Sequence, residues 1–239
     1  MAHDLQHVEP ARFDKFRLSL MLAGPLLVVA GLVGGDRLIA ETTGRDMPGA
    51  AALYGVVDIL DLASGKDVSN FLLGAVLIVL AIAVNLWKRR RLLSGALIYV
   101  GLVQFLSTTI ADLSKPIFGR ARPFQAIADG RWTDLWFAGP DYGSFPSGHV
   151  AFYVGLCVPI AIVHRKLTAP LLLVPTVVAI QRMSSHDHYM TDVGASALLG
   201  VVLALILLRL LRTRDEVRAV SGIGSDQPMD GDVVRERER

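Results

Sequence analysis

At 239 residues, 52% of them hydrophobic and with a mean hydropathy of +0.47, the chain is too apolar for an ordinary soluble domain. Its formal charge is only +2 and its basic residues are dispersed among the turns, which excludes a nucleic-acid partner. The single cysteine, Cys157, lies inside an apolar run and excludes an intrachain disulfide and any cysteine-based metal cluster.

In chain order, residues 1–17 form an N-terminal segment whose first ten residues are polar and expected to be disordered. Arg12, Lys15 and Arg17 beside Phe13 and Phe16 suit a basic segment on a membrane surface. The first apolar span is 18–35. Its polar lead and the lack of a small-residue cleavage site favour a retained helix over a signal peptide. Gly31 and Gly35 make a GxxxG there, a motif of close helix contact. Residues 36–67 read as a loop with an apolar centre at 50–63. Asp58 and Asp61 interrupt that centre, so it is expected to be a helix lying in the interface.

Further spans follow at 68–87, 92–111, 150–163, 167–180 and 193–208, and 212–239 reads as a disordered tail of mixed charge. In the polar stretch before His149, Trp132, Trp136, Phe137 and Tyr142 suit the head-group belt. The expectation is an all-α, polytopic membrane protein: a six-helix bundle over 18–211, with an interfacial helix in its first outer loop. Six spans place Arg12–Arg17, Lys88–Arg91, Arg165–Lys166 and Arg209–Arg214 on one side, the cytoplasmic one, with both termini. A seventh span would set the N-terminal basic cluster against the others.

That topology gathers three polar clusters at the outer helix ends: KPIFGRARP (Lys115–Pro123), SFPSGH (Ser144–His149) and QRMSSHDHYMTD (Gln181–Asp192). The last three spans hold only 14 to 16 strictly apolar residues, so their helices reach full length by including these polar ends, at head-group depth. Lys115, Arg122 and Arg182 bring three cations together, with Arg120 as a candidate fourth, and such a concentration calls for an anionic occupant. Pro146-Ser147-Gly148 before a predicted helix offers backbone N–H groups, a hydroxyl and a positive dipole end. His149 would stand over the bound anion and donate a proton to a leaving oxygen. His188, with Asp192 four residues on to fix its tautomer, would attack phosphorus from the other side. His186, Asp187, His188 and Asp192 could instead hold zinc or manganese, but three neighbouring cations oppose a further positive centre.

Together, Lys115-x6-Arg122-Pro123, Pro146-Ser147-Gly148-His149 and Arg182-x5-His188-x3-Asp192 resemble the three-part signature of the type 2 phosphatidic acid phosphatase family, relatives of the vanadium haloperoxidases. The resemblance extends through the six-span layout to about residue 212. One departure is Gln181, where the family usually has serine. The resemblance implies a lipid phosphatase in which His188 forms a phosphohistidine, Asp192 orients it, and His149 serves as acid and then base. Lys115, Arg122, Arg182, Ser147 and Gly148 would bind the phosphoryl oxygens, without a metal or other cofactor. The implied substrate is a phospholipid or polyprenyl phosphate at the outer face of the plasma (inner) membrane: undecaprenyl pyrophosphate, phosphatidylglycerol phosphate, phosphatidic acid or lipid A 1-phosphate. A lipid phosphotransferase with the same chemistry and a non-enzymatic lipid-phosphate binder or transporter are the alternatives. The apolar spans exclude a soluble haloperoxidase.

Overall fold

A computed structural model describes residues 15–44, 46–88, 91–133 and 135–221. The disorder expected of residues 1–10 and of 222–239 lies outside the described residues, as do Arg12, Phe13, Arg89 and Arg90. All regular structure among the described residues is helical. The α-helices are α1 (Lys15–Ala30), α2 (Asp36–Thr42), α3 (Ala50–Ser64), α4 (Leu72–Lys88), α5 (Arg91–Phe118), α6 (Pro123–Asp129), α7 (Gly148–Val163), α8 (Thr168–Ser184) and α9 (Met190–Ser221).

Four helical stretches are long and apolar enough to cross a membrane: Lys15–Thr42, Leu93–Asp129, Arg165–Ser184 and Met190–Leu211. Two shorter apolar helices accompany them, Leu72–Trp87 and Gly148–Val163. The second of these, α7, is the centre of the molecule. Val150, Ala151, Phe152, Tyr153, Val154 and Val158 are all buried, as a helix apolar on every face requires. It packs against α5, α8 and α9; α1 lies on α9, α4 on α5 and α3 on α8. Small residues set the closest crossing. A Cβ on Gly24 of α1 would stand 2.8 Å from the Gly194 carbonyl oxygen of α9, and one on Gly194 would stand 2.8 Å from that of Gly24.

Several expected boundaries move. The first helix does not stop at Gly35 but passes through a π turn, Gly31–Gly35, into α2. Asp36 opens α2, and its carboxylate binds Arg120 and Thr191, so the polar residue is a fixed joint and not the start of a loop. Likewise α5 continues seven residues past Ala111 to Phe118 and so carries Lys115 on its last turn. The connection to α7 holds a short helix, α6, with Pro123 at its first turn. Residues 212–221, expected in the tail, continue α9, because no glycine or proline interrupts the chain before Gly222. Residues 50–63 are helical as expected and fall within α3, flanked at both ends by left-handed glycines, Gly49 and Gly65.

Candidate active site

The three polar clusters meet. The last turn of α5 supplies Lys115, the loop before α6 supplies Arg122, and the first turn of α7 supplies Gly148 and His149. The last turn of α8 supplies Arg182, and the turn into α9 supplies Asp187 and His188. With Lys66 and Asn70 from the α3–α4 connection, these residues line a cavity of about 130 Å³. Six residues named from the sequence reach it: Lys115, Arg122, Gly148, His149, Arg182 and His188. The other two, Ser147 and Asp192, are fully buried beside it. Gly148 has a steric reason to be glycine, since a Cβ there would lie 3.0 Å from the Lys115 ammonium and 3.2 Å from Asp112. The Ser147 hydroxyl is buried and has no hydrogen-bond partner among the described residues.

His188 is held by a different group from the one expected. Its Nδ1–H donates to the Ser144 carbonyl at 2.6 Å, while the nearer Asp192 oxygen is 3.7 Å away. Nδ1 is thereby committed as a donor, and Nε2 keeps its lone pair. Asp192 acts one step back. Its Oδ2 accepts the Ser144 hydroxyl at 2.6 Å and the Tyr189 N–H at 2.8 Å, and its Oδ1 pairs with Arg120. A carboxylate with no exposure needs such compensation, and the guanidinium takes the oxygen that a direct Asp–His pair would leave open.

Arg120 is accordingly not a fourth cation of the cradle. It is buried between the rings of Trp136 and Tyr189, 4.3 and 4.0 Å from their centroids, and bonds Asp36, Thr191 and Asp192. Trp136 serves this stack and a cluster with Phe118 and Phe145. His186 is also turned away. In a left-handed conformation at φ 59°, it reaches the Thr43 carbonyl at 2.6 Å from Nε2.

Five residues complete the site without having been singled out for it. Asp61 of α3 stands 3.3 Å from His149 Nε2 and 3.7 Å from Arg182. Burial pushes its pKa up, but hydrogen bonds to His149 and Tyr153 outweigh this and hold it below the ordinary value. Lys66 donates to Asn70 at 2.6 Å, Asn70 to Asp112 at 3.0 Å, and Asp112 pairs with Lys115 at 2.5 Å. Burial pushes the Lys66 ammonium down to about 8, with Asp61 opposing the fall. Asp187 bridges Arg122 at 3.4 Å and Arg182 at 3.3 Å inside the cavity. The cations are thus already offset by Asp61, Asp112 and Asp187, and an external anion is not needed merely to balance them. The sequence signal for Asp61 was visible: a carboxylate in an apolar helix is functional by default.

Among the described residues, no group of three or more His, Cys, Asp or Glu side chains is arranged to hold a metal. The arrangement suits phosphoryl chemistry: an imidazole with a free nitrogen on one side of a cationic cavity, and a second imidazole paired with a carboxylate. No curated protein and no solved structure matches the chain. Residues 92–216, which run from α5 into α9 and contain all three polar clusters, match the model of the PAP2 superfamily, and the chain belongs to that superfamily.

Proposed function

We propose that the chain is an integral membrane lipid phosphatase that cleaves a phosphomonoester or pyrophosphate on a lipid head group through a phosphohistidine. The observation that carries this reading is the cavity itself, where Lys115, Arg122 and Arg182 surround His188 and His149. Superfamily membership supports phosphatase chemistry. His188 Nε2 attacks phosphorus while the three cations, the Gly148 N–H and the orphaned Ser147 hydroxyl stabilise charge on the phosphoryl oxygens. Asp192 keeps His188 in place through Ser144. His149 protonates the leaving oxygen and then takes a proton from the water that releases phosphate. These cations perform the neutralisation that a magnesium ion performs in other phosphoryl-transfer sites, so turnover proceeds without one.

The four long and two shorter apolar helices support six spans, with α3 lying in the interface. In this topology both termini are cytoplasmic and the site opens at the outer face of the plasma (inner) membrane. Candidate substrates are undecaprenyl pyrophosphate, phosphatidylglycerol phosphate, phosphatidic acid and lipid A 1-phosphate.

The purified protein should release phosphate from at least one of these four in the presence of EDTA. Quenched enzyme should carry base-stable, acid-labile phosphate in the wild type and in His186→Ala, but not in His188→Ala. Release from none of the four, or label that persists in His188→Ala, would sink the reading. Phosphate appearing on an added alcohol instead of in solution would mark a phosphotransferase.

A further inference from the structure

Asp61 lies outside residues 92–216, on α3, and no step of the reaction as described needs it. It is nevertheless 4% exposed, and a carboxylate buried to that degree must be compensated by hydrogen bonds or charge. Its two oxygens have separate tasks. Oδ1 accepts the Tyr153 hydroxyl at 2.7 Å. Oδ2 faces His149 Nε2 at 3.3 Å, with Arg182 at 3.7 Å. Tyr153 follows His149 by one turn of α7, so both side chains reach the same carboxylate from one helix face. The Tyr153 hydroxyl also meets Ser64 of α3 at 3.2 Å, which fixes the carboxylate from its own helix.

We propose that Asp61 positions His149 as the proton donor; this rests on the reading of His149 as general acid. With Nε2–H directed at Asp61, Nδ1 is the nitrogen left to serve the leaving group, and the carboxylate opposes the burial and the Lys66 and Arg182 charges that disfavour the imidazolium donation requires. In the first step the His188 Nε2 lone pair forms a bond to phosphorus. The bond from phosphorus to the leaving oxygen breaks with its electron pair on that oxygen, which takes the proton from His149 Nδ1. In the second step a water oxygen bonds to phosphorus and gives its proton to His149 Nδ1. The phosphorus–nitrogen bond then returns its electron pair to His188. Asp61 stays ionised throughout and touches no reacting atom. It is a positioning residue.

The test is leaving-group dependence, measured on the purified full chain with an alkyl phosphate and p-nitrophenyl phosphate. An alkoxide must be protonated as it leaves, whereas p-nitrophenolate need not be. His149→Ala should raise the aryl-to-alkyl ratio of kcat by about 100-fold, the lower range of general-acid effects. Asp61→Asn should raise it by about 10-fold, and should add nothing in the His149→Ala background. Tyr153→Phe removes the clamp to α3 but leaves the Asp61–His149 contact, so it should slow both substrates alike. An unchanged ratio in Asp61→Asn, with His149→Ala behaving as stated, overturns the proposal and makes Asp61 a scaffold residue. An unchanged ratio in His149→Ala instead removes the acid reading on which the proposal rests, and overturns it by that route. If Asp61→Asn does not fold, Asp61→Glu decides: the displaced carboxylate must raise the ratio, and a wild-type ratio overturns the proposal.

Discussion

Asp187 occupies the space between Arg122 and Arg182 that a phosphoryl group would claim. An arriving phosphate must displace a carboxylate already bonded to both guanidinium groups and to the Ser185 hydroxyl at 2.7 Å. Asp187→Asn removes that competitor, so inhibition by vanadate should tighten by about 10-fold, equivalent to about 1.4 kcal/mol. A vanadate titration of the two proteins checks this, and equal midpoints would deny the competition. Lys66 gives a second prediction. Burial sets its pKa at about 8, so it loses its charge as pH rises from 7 to 9. KM for the lipid should then rise several-fold over that range in the wild type and stay flat in Lys66→Arg. Stability moves the other way. Burial disfavours charged Lys66 below pH 8, and the unfolded chain holds the extra proton up to its ordinary 10.5, so stability climbs between those values. The cradle itself was legible because its residues sit at fixed spacings on helix ends. Asp61 was legible only as a carboxylate in an apolar helix; its place in the site was not, since its partner Tyr153 lies 92 residues away and no local pattern couples them. Arg120 and Arg122 show the limit well. Two residues apart and chemically alike, they part company at a turn where Gly119 is left-handed and Ala121 bonds Leu135, and only one reaches the cavity.

Among the elements, α7 is the piece whose surroundings were least evident from its residues. An apolar run flanked by SGH and His-Arg-Lys reads as one span among several, and only the packing shows that neighbours enclose it. The helix ends nearest the site were misjudged for one recurring reason. Asp36, Asp112 and Lys115 look like loop residues, yet each has a charged or hydrogen-bonded partner in or beside the site, so the helix runs through them. The α1–α9 crossing offers an element-scale test. Gly194→Leu forces a side chain against the α1 backbone, where even a Cβ meets oxygen at 2.8 Å. It should destabilise the protein by about 3 kcal/mol, in the range of severe overpacking. The same change at Gly95, where a Cβ meets nothing within 4 Å, should have little effect. Thermal unfolding in detergent compares the two.

For the whole molecule, the prediction is sidedness. Cysteines placed by Gly130→Cys and Ala219→Cys in a Cys157→Ser background should label with an impermeant thiol reagent from opposite faces of sealed vesicles. Labelling of both from one face would remove the outer-face assignment. The residues around the cavity also set how it responds to its medium. Four cations, Lys66, Lys115, Arg122 and Arg182, stand against three carboxylates, Asp61, Asp112 and Asp187, which leaves a single net positive charge. Such a site behaves as an ion exchanger at rest, trading an internal anion for an external one. Long-range attraction for an anionic substrate is therefore weak, and under the proposed function capture would depend on lateral encounter within the bilayer. Raising salt from 50 to 500 mM contracts the Debye length severalfold, yet kcat/KM should fall by less than about threefold, where an uncompensated fourfold positive site would lose far more.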